Sequence, residues 1–206
     1  VLAVDRCGIV GADGETHHGC LDYLSQIPGM TVLVPASFDE LRQMLRRAVE
    51  DIPGPVAVRY PRGGENGYAG GWNGDAVQVL REGGDAAVVT CGILTGETLR
   101  AADALQAEGV GVRVVKLAQV SPLDGKELCA ALDGVKRLVV AEDQLRAGGL
   151  GERLSALLLE QDAGIGKIRL RNAGTALPTQ GSTAQLWHEL GLDAEGIAQA
   201  VREVLA

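Results

Sequence analysis

The sequence predicts an α/β fold built on parallel sheets, and three observations carry that reading. Apolar, β-rich runs alternate with Ala/Leu-rich helical patterns along the chain, as in successive βα units. Hydrophobic residues make up 46% of the chain but aromatics only 3%, so the cores must be built from Val, Leu, Ile and Ala, which suits buried parallel strands between helices. A chain of 206 residues is long enough to bury roughly 70% of its unfolded surface.

Strands are expected at residues 1–7, 30–35, 55–60, 86–91, 110–117, 137–141 and 167–171. The best-defined helix follows Ser37. Ser37 and Glu40 stand at capping-box spacing, and Phe38, Leu41, Met44, Leu45, Ala48 and Val49 then repeat at helical intervals. Further helices are expected at 97–107, 126–132, 151–161, 183–190 and 194–205. Six of the thirteen residues from 63 to 75 are Gly, which makes ordering the backbone costly and marks a connection between units. The expected organisation is therefore a first unit at 1–63 with three strands, a Gly-rich linker at 64–80 that Tyr68 and Trp72 pin to a surface, and a larger second unit at 81–206.

Nineteen basic against 27 acidic residues leave a net charge of −8. Such a chain has no general attraction for nucleic acid or an anionic membrane, and too few aromatics for a stacking platform. An anionic ligand must therefore be held by a few placed cations. Cys7, Cys20, Cys91 and Cys129 show neither zinc-ligand nor disulfide spacing, so reduced thiols in the cytoplasm are expected, with no metal site. No apolar run approaches a membrane span.

The chemistry concentrates in residues 5–19, DRCGIVGADGETHHG, a glycine-rich loop leaving the first strand. Ligands of open parallel sheets bind beyond the carboxyl ends of strands. Here Arg6 can grip an oxyanion, His17 and His18 can move protons near neutral pH, and Asp13 can orient a histidine. The plain alternative is a solvated loop. On the same edge, Val58-Arg59-Tyr60-Pro61-Arg62-Gly63 ends the third strand. All six basic residues up to Gly63 are Arg, the side chain suited to bidentate phosphate binding, so Arg6 and Arg62 together suggest a phosphate clamp, with Arg59 in a surface ion pair. A third stretch, Glu142-Asp143 followed by Gly148-Gly149-Leu150-Gly151, could cradle phosphate at a helix start but reads better as a tight turn. His188, beside Trp187 in an amphipathic helix, reads as structural.

The runs VDRCGIVGADGETHHG, IPGMTVLVPASFDELRQML and GPVAVRYPRG closely resemble the 1-deoxy-D-xylulose-5-phosphate synthases, thiamine-diphosphate enzymes of the transketolase superfamily. The rest, including GSTAQLWHELGLDAEGI, resembles the transketolase carboxy-terminal domain. The resemblance implies part of a parallel-sheet pyrimidine-binding domain followed by a complete transketolase C-terminal-like α/β domain. It implies a transferase that joins pyruvate, with decarboxylation, to D-glyceraldehyde 3-phosphate, supplying isoprenoid, thiamine and pyridoxal precursors. Arg6 and Arg62 match arginines that bind the aldehyde's phosphate; Asp13 and His17 match residues that contact substrate and serve proton transfers at the cofactor. A homodimer is also implied.

The family's Gly-Asp-Gly motif for Mg²⁺ and diphosphate and the region supplying the activating Glu are not found in the sequence. Residues 19–28 run about two shorter than the usual pattern, and Cys7 replaces a usual Ala. The chain opens at Val1 directly into an apolar run. A carboxy-terminal fragment, inactive alone, is therefore expected, its three-stranded first unit exposing apolar surface unless covered. The alternatives are the carboxy-terminal subunit of a split transketolase, a 2-oxoacid dehydrogenase β subunit, or a noncatalytic dimerisation or regulatory module.

Overall fold

The computed structural model describes all residues except Thr16, Gly19, Cys20 and Leu21, together with the side chain of Asp22. The shortened stretch expected at 19–28 thus falls partly outside the described residues. Two sheets organise the chain. The first holds β1 (Leu2–Val4), β2 (Thr31–Leu33) and β3 (Val56–Arg59), parallel to one another with β3 in the middle. Helix α1 (Phe38–Glu50) connects β2 to β3, and its Met44 and Ala48 pack with Leu33, Val56 and Val58. Complete burial of a side chain such as Leu33 or Met44 is worth about 1.5–3 kcal/mol.

The second sheet has the order β4-β6-β5-β8-β9. Strands β5 (Ala86–Cys91), β6 (Val112–Leu117), β8 (Arg137–Ala141) and β9 (Lys167–Arg171) run parallel, and every residue of β5 is buried, as expected where helices cover both faces. Helices α2 (Leu94–Ala107), α3 (Gly125–Ala131), α4 (Leu150–Glu160), α5 (Thr183–Leu190) and α6 (Ala194–Leu205) complete the unit. Ser182 and Asp193 cap α5 and α6, accepting the Gln185 and Gly196 amides. His188 is exposed at the end of α5, where its Nδ1 lies 2.7 Å from Asp193 Oδ2; that hydrogen bond holds the imidazole above the ordinary histidine range.

Two strands depart from the all-parallel expectation. Strand β4 (Val77–Arg81), whose first four residues fall within the expected linker, is an antiparallel edge on β6. Strand β7 (Gln119–Ser121), which follows β6, crosses to the first sheet and pairs antiparallel with β2. The first sheet therefore has four strands, and its second face shares a core with the other sheet: Val32, Val34 and Ala57 cluster with Val89, Val115, Leu117 and Val120. The apolar exposure expected of an isolated first unit is reduced to places such as the β1 edge, where Val1 and Leu2 remain exposed.

The Gly-rich connection is held to both units. Ser37 Oγ donates to Gly70 O (2.6 Å), the Trp72 amide donates to Gln43 Oε1 (2.8 Å), and Arg47 lies over the Trp72 ring at 4.7 Å. Asn66 Nδ2 donates to Ile93 O in the second unit (3.3 Å). Tyr68 meets a buried ion pair, Glu40–Lys116, in which both side chains are inaccessible to solvent. The capping box expected at Ser37 is half formed. Ser37 Oγ accepts the Glu40 amide at 3.1 Å, but the Glu40 carboxylate takes the Ala36 amide (2.8 Å) and pairs with Lys116 on β6 instead of returning to Ser37. Burial lowers the Lys116 pKa although Glu40 opposes the shift, and burial beside Glu40 pushes Tyr68 up to about 12.

Removing one member of a buried pair strands the other charge. Lys116→Ala should lower stability by about 3–5 kcal/mol, whereas Lys116→Met combined with Glu40→Gln, which keeps an acceptor for the Ala36 amide, should recover a large part of the loss. Urea melts of the two variants and the parent chain check this; equal losses would contradict it.

Candidate functional site

The carboxyl ends of β1 and β3 lie side by side, because these strands pair in parallel with Val4 opposite Arg59. Tyr60 N donates to Val4 O and Cys7 N to Tyr60 O, which carries the pairing beyond the strands and sets the two following loops together. Arg6 then adopts φ +54, a conformation rare outside glycine and costly for a long side chain.

The turn brings three of the four predicted residues into one cluster. Asp13 sits in a short 3-10 turn (Gly11–Asp13) and engages arginines with both carboxylate oxygens: Arg6 Nε donates to Oδ2 at 3.3 Å and Arg62 Nη1 to Oδ1 at 2.5 Å. Arg6 also donates to Asp5 Oδ2 at 2.5 Å. Each arginine side chain is half exposed, while that of Asp13 is only 23% exposed. Two guanidinium groups thus converge on one carboxylate at the strand edge. A carboxylate accepts the same N–H donors as a phosphate, and here Asp13 takes the donors of both arginines. His17 follows on the exposed side of the loop, its amide donating to Gly14 O at 3.0 Å.

Arg59 differs from its expectation. It is buried, at 2% exposure, because the last residue of the central strand lies under its neighbours; it is not a surface ion pair. The glycine turn at 148–151 is closed by a residue of its own stretch. Buried Glu142, just past β8, accepts the amides of Leu150 (2.6 Å) and Gly151 (2.8 Å), so the start of α4 has its anion built in.

Sequence reasoning left the seat of the loop unread. His18, buried at 8% exposure, accepts the Val10 amide at Nδ1 (3.2 Å) and donates from Nε2 to Thr179 O (3.1 Å). Gln180 Nε2 donates to Ala12 O at 2.9 Å. At Gly11, with φ +66, an added Cβ would lie 2.8 Å from Thr183 Oγ1 and 3.0 Å from its amide nitrogen, so only glycine fits there. These partners lie some 160 residues apart in the chain, and the doubled histidine was the one local signal.

Parallel strands whose carboxyl-end loops carry a pair of arginines on a shared acid define an open-sheet α/β protein with its charged loops at one edge. The chain belongs to the transketolase family: residues 1–65 match the transketolase pyrimidine-binding domain and residues 75–197 the transketolase C-terminal domain. It is 36% identical over 211 residues to a 1-deoxy-D-xylulose-5-phosphate synthase of Chlorobium phaeovibrioides, aligning 98% of this chain with 33% of that protein. It is also 36% identical over 213 residues to the synthase of Gloeobacter violaceus, aligning 100% of this chain with 33% of the relative. The chain therefore spans about a third of the length of the curated relatives it matches. Among solved structures it is similar to a split gene transketolase described as an inactive beta4 tetramer, with a TM-score of 0.84 and 29% identity, covering 98% of this chain and 66% of that one.

Asp13 competes with any external anion for the two arginines. Asp13→Asn should raise the affinity for inorganic phosphate by about fivefold, the scale of a part-exposed ion pair, while Arg62→Ala should lower it. Phosphorus NMR titration measures both; weaker phosphate binding in Asp13→Asn would count against the arrangement.

Proposed function

We propose that the chain forms the substrate side of a 1-deoxy-D-xylulose-5-phosphate synthase, a transferase that condenses pyruvate, with decarboxylation, and D-glyceraldehyde 3-phosphate to 1-deoxy-D-xylulose 5-phosphate for isoprenoid, thiamine and pyridoxal precursors. The observation that carries this reading is the convergence of Arg6 and Arg62 on a single carboxylate. On ligand binding Asp13 yields its place to the aldehyde's phosphate, which then takes two fixed cations. Released from the arginines, Asp13 turns to the substrate hydroxyls, and His17, exposed on the same loop, gives and takes protons. The curated relatives that align with essentially the whole chain support the substrate pair.

The family implies thiamine diphosphate with Mg²⁺. Among the described residues no group of three or more His, Cys, Asp or Glu side chains converges as a metal site, and the glycine-rich start of α4 is taken by Glu142. No step here runs through the diphosphate or its metal. No helix among the described residues is long and apolar enough to cross a membrane. A cytoplasmic homodimer completes the proposal, with neither nucleic acid nor membrane as a partner.

Calorimetry with D-glyceraldehyde 3-phosphate tests the reading. Arg6→Ala and Arg62→Ala should each weaken binding by about tenfold or more, as expected when a charged hydrogen-bonding partner is lost, and D-glyceraldehyde should bind no better than to these variants. Unchanged affinity in both variants would refute the clamp. With thiamine diphosphate and Mg²⁺ added, the 206-residue chain should show no turnover of the two substrates; measurable product would refute its assignment as a part of the site.

The similarity to a split gene transketolase favours a second reading, in which the chain is the carboxy-terminal subunit of a split enzyme. Light scattering separates the two: a mass of four chains favours the subunit, and a mass of two favours the dimeric synthase.

A further inference from the structure

We propose that His18 is a positioning residue: it latches the loop that carries Asp13 and His17 to the second unit, and so sets the geometry of the anion clamp. The proposal rests on the clamp reading for its functional consequence, but its geometry stands alone. The loop carries short-range bonds of its own. Gly14 N donates to Gly11 O and His17 N to Gly14 O, and the 3-10 turn that bears Asp13 is a single turn long. Val10, at the foot of that turn, is buried at 2% exposure, so its amide needs a partner within the protein.

His18 supplies that partner with one ring nitrogen and reaches the Thr179 carbonyl with the other. The imidazole thus joins the start of the loop, its end, and a segment of the second unit. The polarity of the two bonds assigns the tautomer: Nδ1 accepts and Nε2 carries the proton. Next to this bond, Gln180 holds Ala12, and Thr183 at the start of α5 packs against Gly11. Every one of these contacts comes from residues 179–183, and together they bracket Asp13 on both sides. His17, adjacent to the latch, is placed by it as well.

A glutamine at position 18 offers one acceptor and one donor, as the imidazole does; a leucine fills similar space and offers neither. Hydrogen exchange and inorganic phosphate titration on the 206-residue chain, with melting temperature read in parallel, test the latch. His18→Leu should speed exchange of the Val10, Gly14 and His17 amides about tenfold, the effect of losing a buried partner, and weaken phosphate binding by a similar factor. His18→Gln should restore both. Gln180→Ala, which removes one exposed bond and leaves the core intact, should speed exchange at Gly14 in the same direction. The proposal is overturned if loop exchange in His18→Leu equals that of the parent chain, if His18→Gln behaves like His18→Leu, or if nitrogen NMR places the ring proton on Nδ1. Failure of the parent chain to bind phosphate would defeat the clamp reading alone, since exchange, rescue and the tautomer still judge the latch.

Discussion

The two sheets meet over a buried charge pair. Lys116 extends from β6 of the second sheet and Glu40 from α1 of the first, and neither has access to water. Desolvating such a pair costs several kcal/mol per ion, and the attraction offsets this only when the remaining donors and acceptors are satisfied. Glu40 also takes the Ala36 amide and the Tyr68 hydroxyl at 3.4 Å, and Lys116 lies 5.2 Å from the centre of the Tyr68 ring. The partners come from both sheets and the connection between them, so the pair ties all three together at one point. The shared core of Val32, Ala57, Val115 and Leu117 joins the same two sheets, and residues 179–183 meet the loop after β1.

The site shows a second use of internal anions. Glu142 neutralises the start of α4 permanently, buried and bonded to two amides. Asp13 neutralises Arg6 and Arg62 at the surface, where water and a phosphate can compete. The same chemical device gives a structural element in one place and an exchangeable one in the other; burial decides which.

Much of the fold was legible because local physics specified it. Helices α5 and α6 span the residues expected of them, with Ser182 and Asp193 capping their starts, and buried strands such as β5 declare themselves by apolar-rich runs. Strands β4 and β7 escaped because they are edges with polar residues, among them Gln78, Arg81 and Gln119, and the alternation at 77–79 and 119–121 is too brief to mark a strand. Three of the four site residues were found together because glycine and arginine placement at strand ends is a local signal. The seat of the loop was not, since His18 meets Thr179 across 161 positions and nothing near either residue announces the other. Glu40 misled for a related reason: its spacing from Ser37 satisfied a local rule while its carboxylate answered to a lysine 76 residues away.

Strand β7 sets an order of events. The first sheet draws its fourth strand from residues 119–121, beyond the connection and beyond three strands and a helix of the second unit. On the ribosome, β1, β2 and β3 emerge before β7, and the outer edge of β2 stays open until Ser121 has cleared the exit tunnel. An open parallel edge is a place where other chains can pair. The first sheet is therefore born unfinished, and its completion is timed by translation of the segment that follows it.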